Sequence, residues 1–204
     1  MNTAADIWKR HFPTAASGVH LFPEFEERAK AVSAEVFRVP TAADARETLI
    51  RLVEAAQVKK AVVVESPFQR AAGVTEALRS RGVTVYTEPA DIAAHADTAD
   101  IGISGVEFGI AETGSVFQDG YAIATRLVTI LPPLHVVFLP SANIVPGITE
   151  AFEIISQSFD RGYIGFITGP SRTADIERVL TIGVHGPSRL AIIAVDEEPK
   201  GGDA

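Results

Sequence analysis

Apolar residues fall along this chain in two alternating spacings, and the alternation predicts a parallel sheet covered by helices. Ala61-Val62-Val63-Val64 is continuous and β-branched, with no polar face, as in a strand buried on both sides. Short strands of similar kind are expected at 36–39, 83–86, 100–104, 134–139, 162–168 and 190–195. Between them the apolar positions recur at helical spacing. Phe25, Ala29 and Val32 share one face over 23–32, and Leu49, Leu52, Val53 and Ala56 share one face of the helix after Thr41. Thr41 and Asp44 have the spacing of a capping box, and Lys59-Lys60 close that helix. Further helices are expected over 68–79, ended by Gly82, over 91–95, and over 146–158 with Ile148, Phe152 and Ile155 facing inward. Strand and helix in alternation predict an α/β fold with a mostly parallel sheet wrapped on both faces. Its ligands are expected at the carboxyl ends of the strands.

The middle of the chain breaks the pattern. Residues 105–129 are rich in glycine and β-branched residues, carry no strong helical signal, and contain Asp119-Gly120, which predicts a hairpin turn. Residues 1–35 read as a partly helical arm, 36–196 as one α/β domain and 197–204 as a charged, flexible tail. No internal repeat is evident.

Composition narrows the function classes. The chain has 204 residues, 47% hydrophobic and 22% charged, with a net charge of -8 and a pI near 5.1. That balance argues against nucleic acid and against an anionic membrane surface. No apolar run approaches the roughly 18 residues of a membrane span, and the first residues lack the pattern of a signal peptide, so a cytoplasmic protein is expected. There is no cysteine, which excludes disulfides, a thiol nucleophile and thiolate-held iron–sulfur clusters on this chain. The five histidines show no zinc-binding spacing, so neither a metal nor another cofactor is expected.

Candidate chemistry lies in three glycine-punctuated loops. The first runs over 105–115, where Glu112 stands between Ile110-Ala111 and Thr113-Gly114-Ser115. A partly desolvated carboxylate there would suit acid, base or nucleophile work; the competing role is a carboxylate that bonds backbone N–H groups in a turn. The second is Thr168-Gly169-Pro170-Ser171-Arg172-Thr173-Ala174-Asp175-Ile176-Glu177, where Ser171 or Thr173 would cap a following helix and Asp175 would lie near its start. Hydroxyls, a guanidinium and free N–H groups would together hold a small anion; the competing role is a capped turn with a structural Arg172. The third is Gly183-Val184-His185-Gly186-Pro187, where His185 could contact an anion or shuttle a proton, or simply order the loop. His135, at a strand entry, is expected to be structural. No nucleotide-binding fingerprint and no nucleophile elbow is present.

The ordered set 109–115, Leu131-Pro132-Pro133-Leu134-His135-Val136-Val137, 168–177 and 183–187 resembles the LUD-domain family, the lactate-utilisation protein C group, over roughly residues 40–196. The resemblance implies a three-layer α/β/α fold similar to the ribose-phosphate isomerase, glucosamine-phosphate deaminase and coenzyme A transferase superfamily. It also implies a part in bacterial L-lactate oxidation to pyruvate beside iron–sulfur partner proteins, and it leaves a homo-oligomer open. The family commonly has Thr where this chain has Ser115, which preserves the hydroxyl. By analogy with coenzyme A transferases, Glu112-Thr113-Gly114 would make this a freestanding enzyme acting on a small carboxylate, sugar phosphate or acyl thioester. In that case Glu112 and His185 would be catalytic. Thr113, Gly114, Ser115, Gly169, Ser171, Arg172, Thr173 and Asp175 would bind the substrate.

Overall fold

A computed structural model of the protein describes residues 10–12, 14–158, 162–174, 180–183 and 185–197. In sequence order the elements are α1 (Phe22–Ala31), β1 (Glu35–Val39), α2 (Ala42–Ala55), β2 (Lys60–Val63), α3 (Pro67–Ala72), α4 (Val74–Arg79) and β3 (Thr84–Tyr86). Then come α5 (Pro89–His95), β4 (Ile101–Gly105), β5 (Phe108–Ile110), β6 (Ser115–Asp119), α6 (Ile123–Ile130), β7 (Leu134–Pro140) and β8 (Ile144–Val145). The last are α7 (Ile148–Ser158), β9 (Ile164–Ile167), β10 (Arg172–Ala174), β11 (Leu180–Ile182) and β12 (Arg189–Val195). Short 3₁₀ turns at Val19–Leu21, Ala96–Thr98 and Ser141–Asn143 join some of them.

Six strands form an all-parallel sheet in the order β1-β12-β7-β4-β2-β3, so the expected helix-wrapped parallel sheet is present. The two-residue period of a strand divides its side chains between two cores. Ala61, Val63, Ile101, Ile103, Val136, Phe138 and Ile193 meet Leu49, Val53, Phe68 and Leu78 of α2, α3 and α4 on one face. Val137, Leu139, Ile192 and Ala194 meet Phe25 and Ala29 of α1 on the other, and Val62 meets Ile92 and Val128 of α5 and α6. β12 is buried from Leu190 to Val195 and β7 from Leu134 to Leu139, which is why neither run shows alternation.

A second sheet, β8-β5-β6-β9, lies beside α1, and α7 closes its outer side through Ala151, Ile154 and Ile155 against Phe108, Ile110 and Phe117. The helix over 22–31 is thus part of the body; Phe25 and Ala29 have no solvent exposure. The capping box at Thr41 is present, with Asp44 N–H donating to Thr41 Oγ1 at 3.1 Å and Thr41 N–H donating to the Asp44 carboxylate at 3.2 Å. Thr41→Ala should lower the unfolding free energy by about 1 kcal/mol in urea denaturation.

Several local expectations are corrected. The hairpin turn is at 111–114, joining β5 to β6, because Gly114 supplies a left-handed φ of 65°. Asp119-Gly120 instead leads out of β6 into α6, a helix the composition hid. A Cβ at Gly120 would lie 2.5 Å from the Tyr163 ring, so glycine is there for close packing. The helix over 68–79 is broken by Gly73 at φ 61° into α3 and α4. The segment after Pro170 enters strand β10, paired with β11, and not a helix. In α7, Ile155 is buried as expected, but Ile148 and Phe152 are exposed at 39% and 52%. Phe152 turns to the edge of the second sheet, 5.8 Å from the Phe166 ring.

Candidate functional site

The three glycine loops do meet, at the amino end of β1 and β12. The Ser115 and Thr168 hydroxyls are hydrogen-bonded at 2.7 Å, which ties the first loop to the second. Ser171 N–H donates to Pro187 C=O at 2.8 Å, and Gly183 N–H donates to Ser171 C=O at 3.0 Å, which ties the second to the third. The Arg172 guanidinium donates to Ser33 Oγ, just before β1, and Arg189 N–H opening β12 donates to Pro133 C=O at 3.1 Å. The cluster therefore sits opposite the carboxyl ends, where the sheet is expected to bind ligands. The reason is topological: the second sheet carries the backbone back across the face, so its turns come down beside the strand starts.

Most polar groups expected to hold an anion here are consumed by the fold. Ser171 spends its N–H and C=O on the neighbouring loop, and Thr113 Oγ1 accepts Ser115 N–H at 3.3 Å. Gly114 and Gly169 serve packing: a Cβ at Gly114 would lie 2.1 Å from Ala29 N, and one at Gly169, whose φ is 71°, 2.3 Å from Val32 O. Both turns thus press against the end of α1. Thr173 pairs with Thr181 in the β10–β11 ladder. Arg172 and His185 are exposed. Asp175 lies outside the described residues.

Glu112 is exposed, not desolvated. Its Oε2 accepts Ile148 N–H at 3.0 Å, and its own N–H donates to Pro146 C=O at 3.0 Å. The carboxylate thus satisfies an orphan donor at the start of α7, where negative charge suits the helix dipole. Glu112→Gln should cost about 0.5–1 kcal/mol of stability, read as a lower urea midpoint.

A second polar cluster carries no local motif. It lies on the other side of the sheet's length, around the carboxyl end of β4. β2 leaves toward α3 and α4 on one face, whereas its neighbour β4 leaves toward the second sheet on the other. Where the two exits meet, the end of β4 is packed on the start of α3: a Cβ at Gly105 would lie 2.8 Å from Ser66 Cβ. Gln118 Nε2 donates to Gly105 C=O at 2.9 Å and to Ser104 Oγ at 2.8 Å, while Gln118 Oε1 accepts Thr129 Oγ1 at 2.6 Å. Ser104 Oγ is also 2.9 Å from His135 Nε2. The other ring nitrogen, His135 Nδ1, is buried with no partner. Burial holds the His135 imidazole down to about 3, so it is neutral. It is structural, as expected.

Glu107 follows two residues after Gly105. Its Oε2 accepts Asp119 N–H at 2.7 Å, and Asn143 Nδ2 donates to its backbone carbonyl at 2.9 Å. Burial pushes its carboxyl up to about 8; the Asp119 N–H opposes this and the Asp119 charge adds to it. Gln69, fully buried, accepts Ser66 N–H at 2.8 Å on Oε1, and its Nε2 has no partner. The polar residues Ser104 and His135 inside otherwise apolar strands are the one sequence signal for this cluster. Among the described residues no group of three or more His, Cys, Asp or Glu side chains is placed to hold a metal, and no helix is long and apolar enough to cross a membrane. The groove between α2 and α4 is lined by interleaved Arg46, Glu47, Arg51, Glu54, Glu76 and Arg81, with Arg81 and Glu54 paired at 3.3 Å, and has the character of a solvated helix surface.

Known proteins are similar to this chain in sequence and in fold. Residues 22–195 match the model of the LUD domain. The chain is 32% identical over 184 residues to lactate utilization protein C 1 of Bacillus mycoides, spanning 84% of this chain and 77% of that protein. It is also 32% identical over 157 residues to lactate utilization protein C of Anoxybacillus flavithermus, spanning 76% of this chain and 71% of that protein. A solved DUF162 family protein from Deinococcus radiodurans has the same fold, with a TM-score of 0.61 and 22% identity over 90% of this chain and 99% of that one. The family model begins where α1 begins and ends with β12, taking in both sheets and the helix that the glycine turns seat: the chain belongs to the LUD domain family.

Proposed function

We propose that this protein is a component of bacterial L-lactate oxidation to pyruvate, acting in the cytoplasm beside partner proteins that carry iron–sulfur clusters. The observation that supports this reading is the similarity to proteins named lactate utilization protein C along most of the sequence. The absence of cysteine complements it: electrons passing through thiolate-held clusters must travel on other proteins. In this reading the joined glycine loops are a surface that presents Arg172 and His185 to a small anion or to a partner's acidic group, with Ser171, Thr173 and Asp175 on the same stretch of sequence. Glu112 steadies α7 beside them. The test is growth: deleting the gene should abolish or strongly slow growth on L-lactate as sole carbon source while leaving growth on pyruvate intact, and plasmid-borne wild type should restore it. Unimpaired growth of the deletion strain on L-lactate would overturn the pathway role.

A further inference from the structure

We propose that strand β9 is a dimerisation edge: it pairs antiparallel with β9 of a second copy of this chain, joining the second sheets of the two copies across a two-fold axis at Gly165.

β9 ends the second sheet, and among the described residues no strand lies beyond it. The sheet's other edge is covered, because Gly18 N–H donates to Ile144 C=O of β8 at 2.9 Å. The β1 edge of the main sheet carries Glu35 and Arg38, charges of the kind that discourage edge-to-edge pairing. Residues 162–168, by contrast, hold no charged side chain. The phase of the ladder shows which backbone groups are on offer. Gly120 N–H donates to Tyr163 C=O at 3.2 Å, so Tyr163, Gly165 and Ile167 turn their N–H and C=O groups to β6. Ile164 and Phe166, alternating with them, turn theirs to the open side.

A second copy fits this edge in register. A two-fold axis between antiparallel strands stands perpendicular to the sheet, so one residue must oppose itself. With Gly165 on the axis, Ile164 opposes Phe166 of the partner subunit, and both are the outward-bonding residues. Gly165 itself falls at a non-bonded position, where the backbones approach most closely. It brings no side chain there, and a Cβ on it would meet only Gln118 O, at 3.8 Å. A chain of net charge -8 repels its own copy, and a neutral edge is where that repulsion is least.

Apolar side chains flank the edge on both faces. On the α7 side Phe166 lies beside Phe152, with Ile148 one helical turn away. On the other side the Arg126 guanidinium lies 4.7 Å over the Tyr163 ring, and Ile123 is three residues before Arg126 on α6. Ile123, Ile148, Phe152, Tyr163 and Phe166 are 65%, 39%, 52%, 43% and 38% exposed. At roughly 200 Å² for each bare side chain, they leave about 400–500 Å² uncovered per copy. Two copies with their paired backbones therefore reach the ~1,000 Å² of a specific interface.

Sedimentation velocity of the full chain over a range of concentrations should show a reversible dimer of twice the 21.7 kDa chain mass. Phe166→Glu should weaken dimerisation about tenfold or more. Phe152→Glu, on the exposed side of α7, should do the same and serves where the strand variant fails to fold by circular dichroism. The chain has no cysteine, so a single introduced thiol reports its own neighbourhood. Cα atoms about 4.5 Å apart at a non-bonded antiparallel pair can be bridged. Gly165→Cys should thus oxidise to a covalent dimer, whereas Ser80→Cys, exposed at the end of α4, should not at the same concentration. The proposal is overturned if the chain stays monomeric throughout, even if a different protein then takes the edge. It is also overturned if both glutamate variants dimerise as wild type does, or if Gly165→Cys crosslinks no faster than Ser80→Cys.

Discussion

Gly114→Ala should destabilise the protein by about 3 kcal/mol or more. An alanine held at φ 65° costs roughly 1–2 kcal/mol from backbone sterics alone. The larger cost comes from the new methyl, which would sit 2.1 Å from Ala29 N and 2.5 Å from Arg28 C, both backbone atoms that no rotamer change can move aside. α1 must then back away, loosening Phe22, Phe25 and Ala29 from the core they share with Val137, Leu139 and Ile192. Burial of each such aromatic stabilises by about 1.5–3 kcal/mol. Urea denaturation should show the midpoint falling, with trypsin cleaving first near Arg28 and Lys30. A stability within about 0.5 kcal/mol of wild type would mean that the turn does not seat the helix.

Stability should fall on both sides of a plateau between about pH 4.5 and 6.5. Glu107 titrates near 4.5 when unfolded and near 8 when folded. Between those values the folded protein binds the extra proton, so stability drops as pH rises, by up to roughly 4 kcal/mol at pH 8. His135 works in the opposite sense, titrating near 6.5 unfolded and near 3 folded. The unfolded protein then binds the extra proton, and stability drops as pH falls from 6.5 toward 3 by a similar amount. Where the windows overlap the two slopes cancel. Glu107→Gln should erase the alkaline loss, leaving stability that rises to pH 6.5 and stays level above it. Urea midpoints taken across this range would reveal it; an alkaline loss unchanged in Glu107→Gln would show that another group causes it.

The parallel sheet is legible in the sequence because strands buried on both faces must be apolar without alternation, as Ala61–Val64 and 190–195 are. The capping box at Thr41 is equally plain, since it depends only on local spacing. What local sequence does not convey is which glycine bends the backbone. Asp119-Gly120 carries the stronger turn signature, but the turn forms at Gly114, where the neighbouring α1 leaves no room for a side chain. The same contact explains why Gly114 and Gly169 look like parts of ligand loops: glycine demanded by a close helix and glycine demanded by a close ligand are alike in one sequence. The environment of Glu112 differs from its expected one because α7, thirty-six residues on, brings Ile148 N–H to it. Glu107 gives no sequence signal because its burial comes from β6 and from the residues after β7, not from its own neighbours.

The proposed role, support of L-lactate conversion to pyruvate by a protein that does not itself carry the electrons, is tested most directly by pyruvate formed from L-lactate in an extract of the deletion strain, measured before and after adding the purified protein. Little pyruvate should form before and formation should be restored after, in an extract that retains the proposed cluster-bearing partners. Full pyruvate formation in the unsupplemented extract would contradict it.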